Sequence, residues 1–254
     1  MAKVETILQG FSLGTDQGNL AFCGVTLIEG TKRILVDVAH NGRRTLLLER
    51  LKQRGLTPDD IDYIFLTHSH WDHMLNIDLF PDAKVLIHPV EREYIKDPLP
   101  TDWATTGYTS LILESTQLQE VSGGEEVDDG VSVIETPGHS KGSMALLVRS
   151  DTGTLAVSGD ALPNALSVKT GLPRIVFWDE NEAKASIRKL LDAADTFYPG
   201  HDRPFRVGDA GAITYLEPTG LRVFGLPEPA QGEGGLSMTY AMDRDEATEA
   251  EQRT

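Results

Sequence analysis

The sequence predicts an α+β chain of two similar β-rich halves, each ending in helices, with two sheets packed face to face and the helices outside. Three observations predict it. Short apolar or alternating runs recur between residues 4 and 38 and again between 130 and 158, separated by turn residues. Each set is followed by a helical pattern, over Arg43–Arg54 and Glu180–Ala193. With 254 residues and 40% hydrophobic side chains, the chain can bury one large core, or two fused halves that share one.

In order, Val4–Leu8, Leu20–Glu29 and Arg33–Val38 read as strands, with a turn-rich stretch at Gly14–Gly18 and a tight turn at Gly30. Arg43–Arg54 places Leu46, Leu47 and Leu51 on one helical face and stops at Gly55. Thr57-Pro58-Asp59-Asp60 is an N-cap followed by proline at the first helical position, and Tyr63–Leu66 is an apolar strand. Asp72–Leu79 reads as a short helix, Lys84–His88 as a strand and Val90–Ile95 as a helix. Lys96–Thr109 has no periodicity and reads as a loop or an inserted lid. Gly130–Thr136, Ser143–Arg149 and Thr154–Ser158 are strand-like; Glu180–Ala193 is an amphipathic helix with Ile187, Leu190 and Leu191 inward; Thr196–Tyr198 is a last strand. From Leu226 on, Gly, Pro, Glu and Gln dominate, so residues 1–225 read as a single domain and 226–254 as a mobile acidic tail.

The formal net charge of −16 argues against a nucleic-acid backbone as partner, because such binding rests on Lys and Arg neutralising phosphates. A small-molecule substrate is the expectation. The lone cysteine, Cys23, lies in the apolar run Ala21–Ile28 and reads as a buried, inert thiol, which together with the lack of a disulfide points to a cytoplasmic compartment. Met1–Gly10 lacks the basic head and apolar stretch of a secretory signal, and no run approaches a membrane span. Leu216, Leu221, Phe224 and Leu226 suit either a homodimer contact or a cap on the fold.

The chemistry concentrates in Thr67-His68-Ser69-His70-Trp71-Asp72-His73, directly after the apolar run Tyr63–Leu66. Three of the chain's seven histidines fall within six residues beside a carboxylate, the nitrogen and oxygen donors of zinc and related divalent metals. In extended backbone His68 and His70 share a face, whereas Asp72 and His73 would sit in the first turn of a helix, at an angle to them. That arrangement suits two cations better than one, against the plainer reading of a polar loop with incidental histidines. Three further candidates stand at strand ends: His139 in Thr136-Pro137-Gly138-His139, Asp160 in Ser158-Gly159-Asp160, and His201 in Pro199-Gly200-His201-Asp202. A glycine before each one lets backbone approach closely at a crowded centre.

In these residues the sequence resembles the metallo-β-lactamase-fold hydrolases, whose signature is His-x-His-x-Asp-His, then a separate histidine, a bridging aspartate and a final histidine, over about Val4–Val207 here. The resemblance implies a four-layer αββα sandwich with metals at one edge of the two sheets. It implies that His68, His70 and His139 hold one cation, Asp72, His73 and His201 a second, and that Asp160 bridges them. It also implies that Asp37 supports the ligands from behind, that Asp72 relays a proton, and that a hydroxide between the two cations attacks an ester or lactone. Zinc is the expected metal, with manganese and iron open. Relatives usually carry Asp, a small residue, then Gly where this chain has Asp37-Val38-Ala39-His40, and His40 reads as a solvent-facing histidine. His88 reads as structural.

Asp160 argues against true β-lactamases, and the Gly-His-Asp ending at 200–202 favours lactonases over glyoxalase-II-like thioesterases. Two other outcomes are a mononuclear-iron persulfide dioxygenase using His68, His139 and Asp160, and a metal-binding protein without turnover. Trp103, Tyr108, Phe177 and Trp178 are candidates for an aromatic pocket wall, with core or subunit contacts as the alternative.

Overall fold

The computed structural model describes residues 2–15, 18–151, 153–218, 221–224 and 237–240. The first half comprises β1 (Lys3–Leu8), a hairpin of β2 (Phe11–Thr15) and β3 (Gly18–Phe22), β4 (Val25–Glu29) and β5 (Arg33–Val36). Helix α1 (Arg44–Gln53) leads to β6 (Tyr63–Phe65), α2 (Trp71–Met74), β7 (Lys84–Ile87), α3 (Pro89–Tyr94), α4 (Thr109–Glu114) and β8 (Gln117–Glu120). The second half runs β9 (Glu126–Asp128), β10 (Val131–Glu135), β11 (Met144–Ser150), β12 (Gly153–Gly159), α5 (Ala165–Thr170), α6 (Glu180–Ala193), β13 (Thr196–Pro199), β14 (Phe205–Val207) and β15 (Ile213–Tyr215).

The first sheet has the order β1-β4-β5-β6-β7-β8, parallel from β5 onward; the second has the order β15-β14-β13-β12-β11-β10-β9, with one parallel pair, β12 and β13. Period-2 alternation sorts their side chains into three cores. Ile34, Val36, Phe65 and Leu86 face Val131, Val133, Met144, Leu146 and Val157 between the sheets. Their neighbours Leu35, Ile64, Val85 and Ile87 face outward onto Leu47 and Leu51 of α1. On the far side Ala145, Ala156 and Phe197 meet Ile187 and Leu190 of α6. Three cores between four layers make an αββα sandwich.

Residues Met1–Leu216 form one compact unit. A second unit begins at Glu217, in which β16 (Leu221–Phe224) pairs antiparallel with β17 (Ser237–Tyr240). The rest of the expected tail, 226–254, lies outside the described residues.

Several local expectations are corrected. Leu20–Glu29 is not one strand: the chain breaks at Cys23-Gly24, where Gly24 N donates to Gly200 O at 2.6 Å, and Leu20–Phe22 pairs with β2 instead. Leu46 is 38% exposed, because only Leu47 and Leu51, four apart, share the inner face of α1. Asp72–Leu79 is a short helix and a separate 3-10 turn at Ile77–Leu79. His40 does not face solvent: it is half-buried, its Nδ1 accepts from Gly42 N, and its ring lies between Phe22 and Trp71.

Candidate metal centre

Every ligand candidate stands just beyond the end of a strand, at one edge of the sandwich. β6 runs into Thr67–His70, α2 carries Asp72 and His73, β10 leads to His139, and β12 and β13 end beside Asp160 and His201. These loops can crowd together only because certain positions lack a side chain: a Cβ on Gly200 would collide with Asp160 Oδ1, and one on Gly159 would come within 2.6 Å of Thr67 Oγ1. Asp37, after β5, takes a left-handed φ of 57° that turns its carboxylate under the centre.

The hydrogen bonds on the outer side of each ring fix which nitrogen faces inward. His73 Nδ1 donates to Asp37 Oδ2 at 2.7 Å. Asp37 also accepts from Thr67 N and Thr67 Oγ1, and His68 Nδ1 lies 2.9 Å from that hydroxyl, which has spent its own proton on Asp37. His139 Nδ1 donates to Ile175 O at 2.9 Å. The inward atoms are therefore the Nε2 of His68, His73 and His139. His70 Nδ1 lies 2.9 Å from His68 Nε2 and 3.0 Å from His139 Nε2. The nitrogens of His68, His70 and His139 thus meet at a common space, where lone pairs repel one another unless a cation lies among them.

The same holds beside them. Asp160 Oδ1 is 3.6 Å from His73 Nε2 and Asp160 Oδ2 is 3.2 Å from His201 Nε2, while Asp72 Oδ2 is 3.5 Å from His201 Nε2. Asp72 Oδ2, His73 Nε2 and Asp160 Oδ1 are buried with no hydrogen-bond partner among the described residues, a cost a folded chain sustains where a ligand satisfies it. The donors fall into three overlapping groups able to hold a cation: His68, His70 and His139; His68, His73 and Asp160; Asp72, His73 and His201. The residues present fit divalent cations bound by nitrogen and carboxylate oxygen.

Electrostatics agree. Burial, then the neighbouring histidines, push His68 well below the usual imidazole range, and burial takes His139 down to about 4. Burial opposes charge on Asp160 too, but His201 and His73 hold it well below the usual carboxylate range. His201 is raised despite burial because Asp160 and Asp72 face it.

Two further carboxylates were missed. Glu91 of α3 is fully buried; its Oε1 accepts from Ser69 N at 2.9 Å and Ser69 Oγ at 2.6 Å, and its Oε2 accepts from Gly142 N at 2.7 Å and Ser140 Oγ at 2.6 Å. It ties the His68–His70 loop to the loop that follows His139. Asp102, also buried, stands 3.4 Å from His70 Nε2.

Of the aromatic candidates, Phe177 meets His70, His139 and Trp103 edge-on at centroid distances of 4.9, 5.6 and 5.3 Å. Trp103 is 61% exposed. Trp178 instead packs on Tyr94 and under Lys141 Nζ, and Tyr108 is exposed at the start of α4. His88 Nδ1 accepts from Val90 N as the cap of α3, apart from the ligands. Cys23 Sγ donates to Asp72 O at 2.9 Å.

A sequence profile of the metallo-beta-lactamase superfamily matches residues 19–201. Metallo-beta-lactamase domain-containing protein 1 of Xenopus laevis is 31% identical over 219 residues, covering 85% of this chain and 86% of that protein. N-acyl homoserine lactonase of Bacillus cereus is 28% identical over 191 residues, covering 69% of this chain and 70% of the lactonase. A solved metallo-beta-lactamase-like structure from Thermotoga maritima aligns with a TM-score of 0.66 at 23% identity, over 81% of this chain and 99% of the other, a likeness of fold alone.

Proposed function

This chain belongs to the metallo-beta-lactamase superfamily, and from that premise we propose that it is a hydrolase, dependent on two zinc ions, that opens an uncharged carboxylic ester, foremost a lactone. The observation that carries the metal reading is the convergence of inward ring nitrogens from His68, His70, His73 and His139 with the orphaned oxygens of Asp72 and Asp160. When bound, divalent cations acidify water and polarise the oxygen of a scissile carbonyl.

The chain's own side chains divide the remaining work. His68, His70 and His139 would hold one cation, Asp72, His73 and His201 the other, with Asp160 between. Asp37 fixes the tautomer of His73 directly and that of His68 through Thr67. Asp72 Oδ2, buried and without a hydrogen-bond partner among the described residues, is placed to accept the proton that water gives up. Phe177, with Trp103 edge-on behind it, supplies an apolar edge beside His70 and His139, which suits an alkyl or acyl group better than a charged phosphoester. The relation to a lactonase supports the same choice of bond.

The test is to assay the zinc-loaded protein in parallel on lactones, thioesters, aryl esters and phosphodiesters, with metal analysis of the same sample. Lactone or aryl-ester turnover with about two zinc per chain is expected. Faster phosphodiester turnover would reject the substrate class, and a single iron with oxygen uptake would reject hydrolysis.

A further inference from the structure

We propose that Asp102 is a positioning residue that fixes His70 as an Nδ1 ligand, making the 96–109 segment part of the metal centre, so that cation binding tightens the wall bearing Trp103. The inference rests on the metal reading of the site and on no particular substrate.

The segment has no helix or strand between Tyr94 and Thr109, and Thr101 and Trp103 are exposed. Between them Asp102 is buried. Its Oδ1 accepts from Ala104 N at 3.1 Å and Thr105 N at 3.0 Å; its Oδ2 accepts from Thr105 Oγ1 and Tyr94 Oη, both at 2.8 Å. These four bonds close a turn and moor it to α3. A turn of this kind forms equally well at a surface, so turn chemistry alone does not account for burying its carboxylate against a histidine.

That histidine is His70, whose Nε2 stands 3.4 Å from Asp102 Oδ1. Since His70 Nδ1 faces the Nε2 atoms of His68 and His139, the ring proton belongs on Nε2, on the side of Asp102. A second tie runs between the same two loops, from Trp71 N to Ala104 O at 3.1 Å. At 3.4 Å the side-chain contact is long for an N–H···O bond. A cation at Nδ1 makes Nε2–H a stronger donor, and the carboxylate in return makes Nδ1 a better ligand. Coupling of this kind is reciprocal: whatever factor Asp102 adds to cation affinity, the cation adds to the stability of the Asp102 turn. Trp103 is the residue inside that turn, and its ring rests edge-on against Phe177, which abuts His70 and His139. Order in the turn is therefore order in the wall.

The test measures zinc affinity of the full chain by competition with a chromophoric chelator, and amide hydrogen exchange at Ala104 and Thr105 with and without zinc. Asp102→Asn keeps an oxygen for the two amide donors and removes the charge. It is expected to weaken zinc at least tenfold. By reciprocity, zinc should slow exchange at Ala104 and Thr105 about tenfold in the wild type and far less in Asp102→Asn. Asp97→Asn, an exposed acid of the same segment, should behave as wild type in both. Wild-type affinity in Asp102→Asn, wild-type exchange indifferent to zinc, or an equal loss in Asp97→Asn overturns the inference alone. A wild-type chain that binds no zinc overturns the metal reading with it.

Discussion

Glu91→Gln separates hydrogen bonding from shape at the clamp between the two ligand loops. Ser69 N donates to one carboxylate oxygen and Gly142 N to the other, and neither backbone donor can reverse. The hydroxyls of Ser69 and Ser140 can rotate to donate or accept. An amide has one oxygen, so its NH2 must face one of the two backbone N–H groups in a site without exposure. The loss is one hydrogen bond to a charged acceptor plus one buried donor left unmet, together about 3 kcal/mol. For a unit of this size each kcal/mol moves Tm by about 2–4 °C, which gives a fall of about 6–12 °C. Circular-dichroism melts at fixed free zinc measure it, and zinc affinity should fall as well, since the clamped residues adjoin His68, His70 and His139. A melting temperature within about 2 °C of wild type would refute the clamp.

Three further outcomes follow from the same geometry. Gly200→Ala places a methyl group against Asp160 Oδ1 and within 2.9 Å of Gly159 C, and displacement of a ligand on that scale should lower hydrolysis about 100-fold and reduce bound zinc in metal analysis. Asp160→Ala should abolish turnover and reduce metal content, whereas His88→Ala should cost the α3 cap and the contact with Glu135 Oε1, about 1–2 kcal/mol in a melt, with metal content intact. Cys23 is fully buried and its thiol is pushed up by burial, so it stays neutral at pH 8; a thiol-labelling assay should find it inert in the native protein and reactive on unfolding.

What could be read in the sequence was whatever local spacing encodes. Period-2 runs gave β10, β11 and β12 their places, and Glu180–Ala193 matches α6 at both ends because Asp179 caps it through Asn181 N and Glu182 N. The ligand candidates stood out because histidines cluster and glycines precede them. β8, Gln117–Glu120, escaped notice as a largely exposed edge strand with one partly buried apolar residue, and the break at Cys23-Gly24 is imposed by a distant carbonyl at Gly200. Glu91 and Asp102 were illegible for a deeper reason. An acid beside Arg92 and Glu93 on a short helix, or next to Trp103 in an aperiodic loop, has the local signature of a solvated carboxylate. Only the fold reveals that the donors to Glu91 come from Ser69, Ser140 and Gly142, and that Asp102 is buried beside His70.

Those hidden carboxylates bear on stability. The buried acids are Asp37, Asp72, Glu91, Asp102, Asp128, Asp160 and Asp202, against Arg43 as the one buried arginine or lysine among the described residues. Concentrated negative charge without counter-charge destabilises a core. In the metal-free chain protons make up part of the deficit. Burial opposes charge on His73, but the acids around it raise it well above the ordinary value, and His201 is raised for the same reason. Their contribution is present below the unfolded value near 6.5 and fades as pH rises through the raised folded values. His68 and His139 are depressed, so they withdraw stability as pH falls below 6.5. The metal-free protein should therefore be most stable near pH 6.5 and weaken on both sides. Zinc needs the histidines unprotonated, so it binds better as pH rises and replaces the protons that the fold is losing. Zinc at 100 times its Kd adds about 2.7 kcal/mol, or about 5–10 °C in Tm. At fixed free zinc, that gain should grow between pH 6.5 and 8. A gain that stays flat or shrinks over this interval would mean that cations do not take over the charge held by His73 and His201.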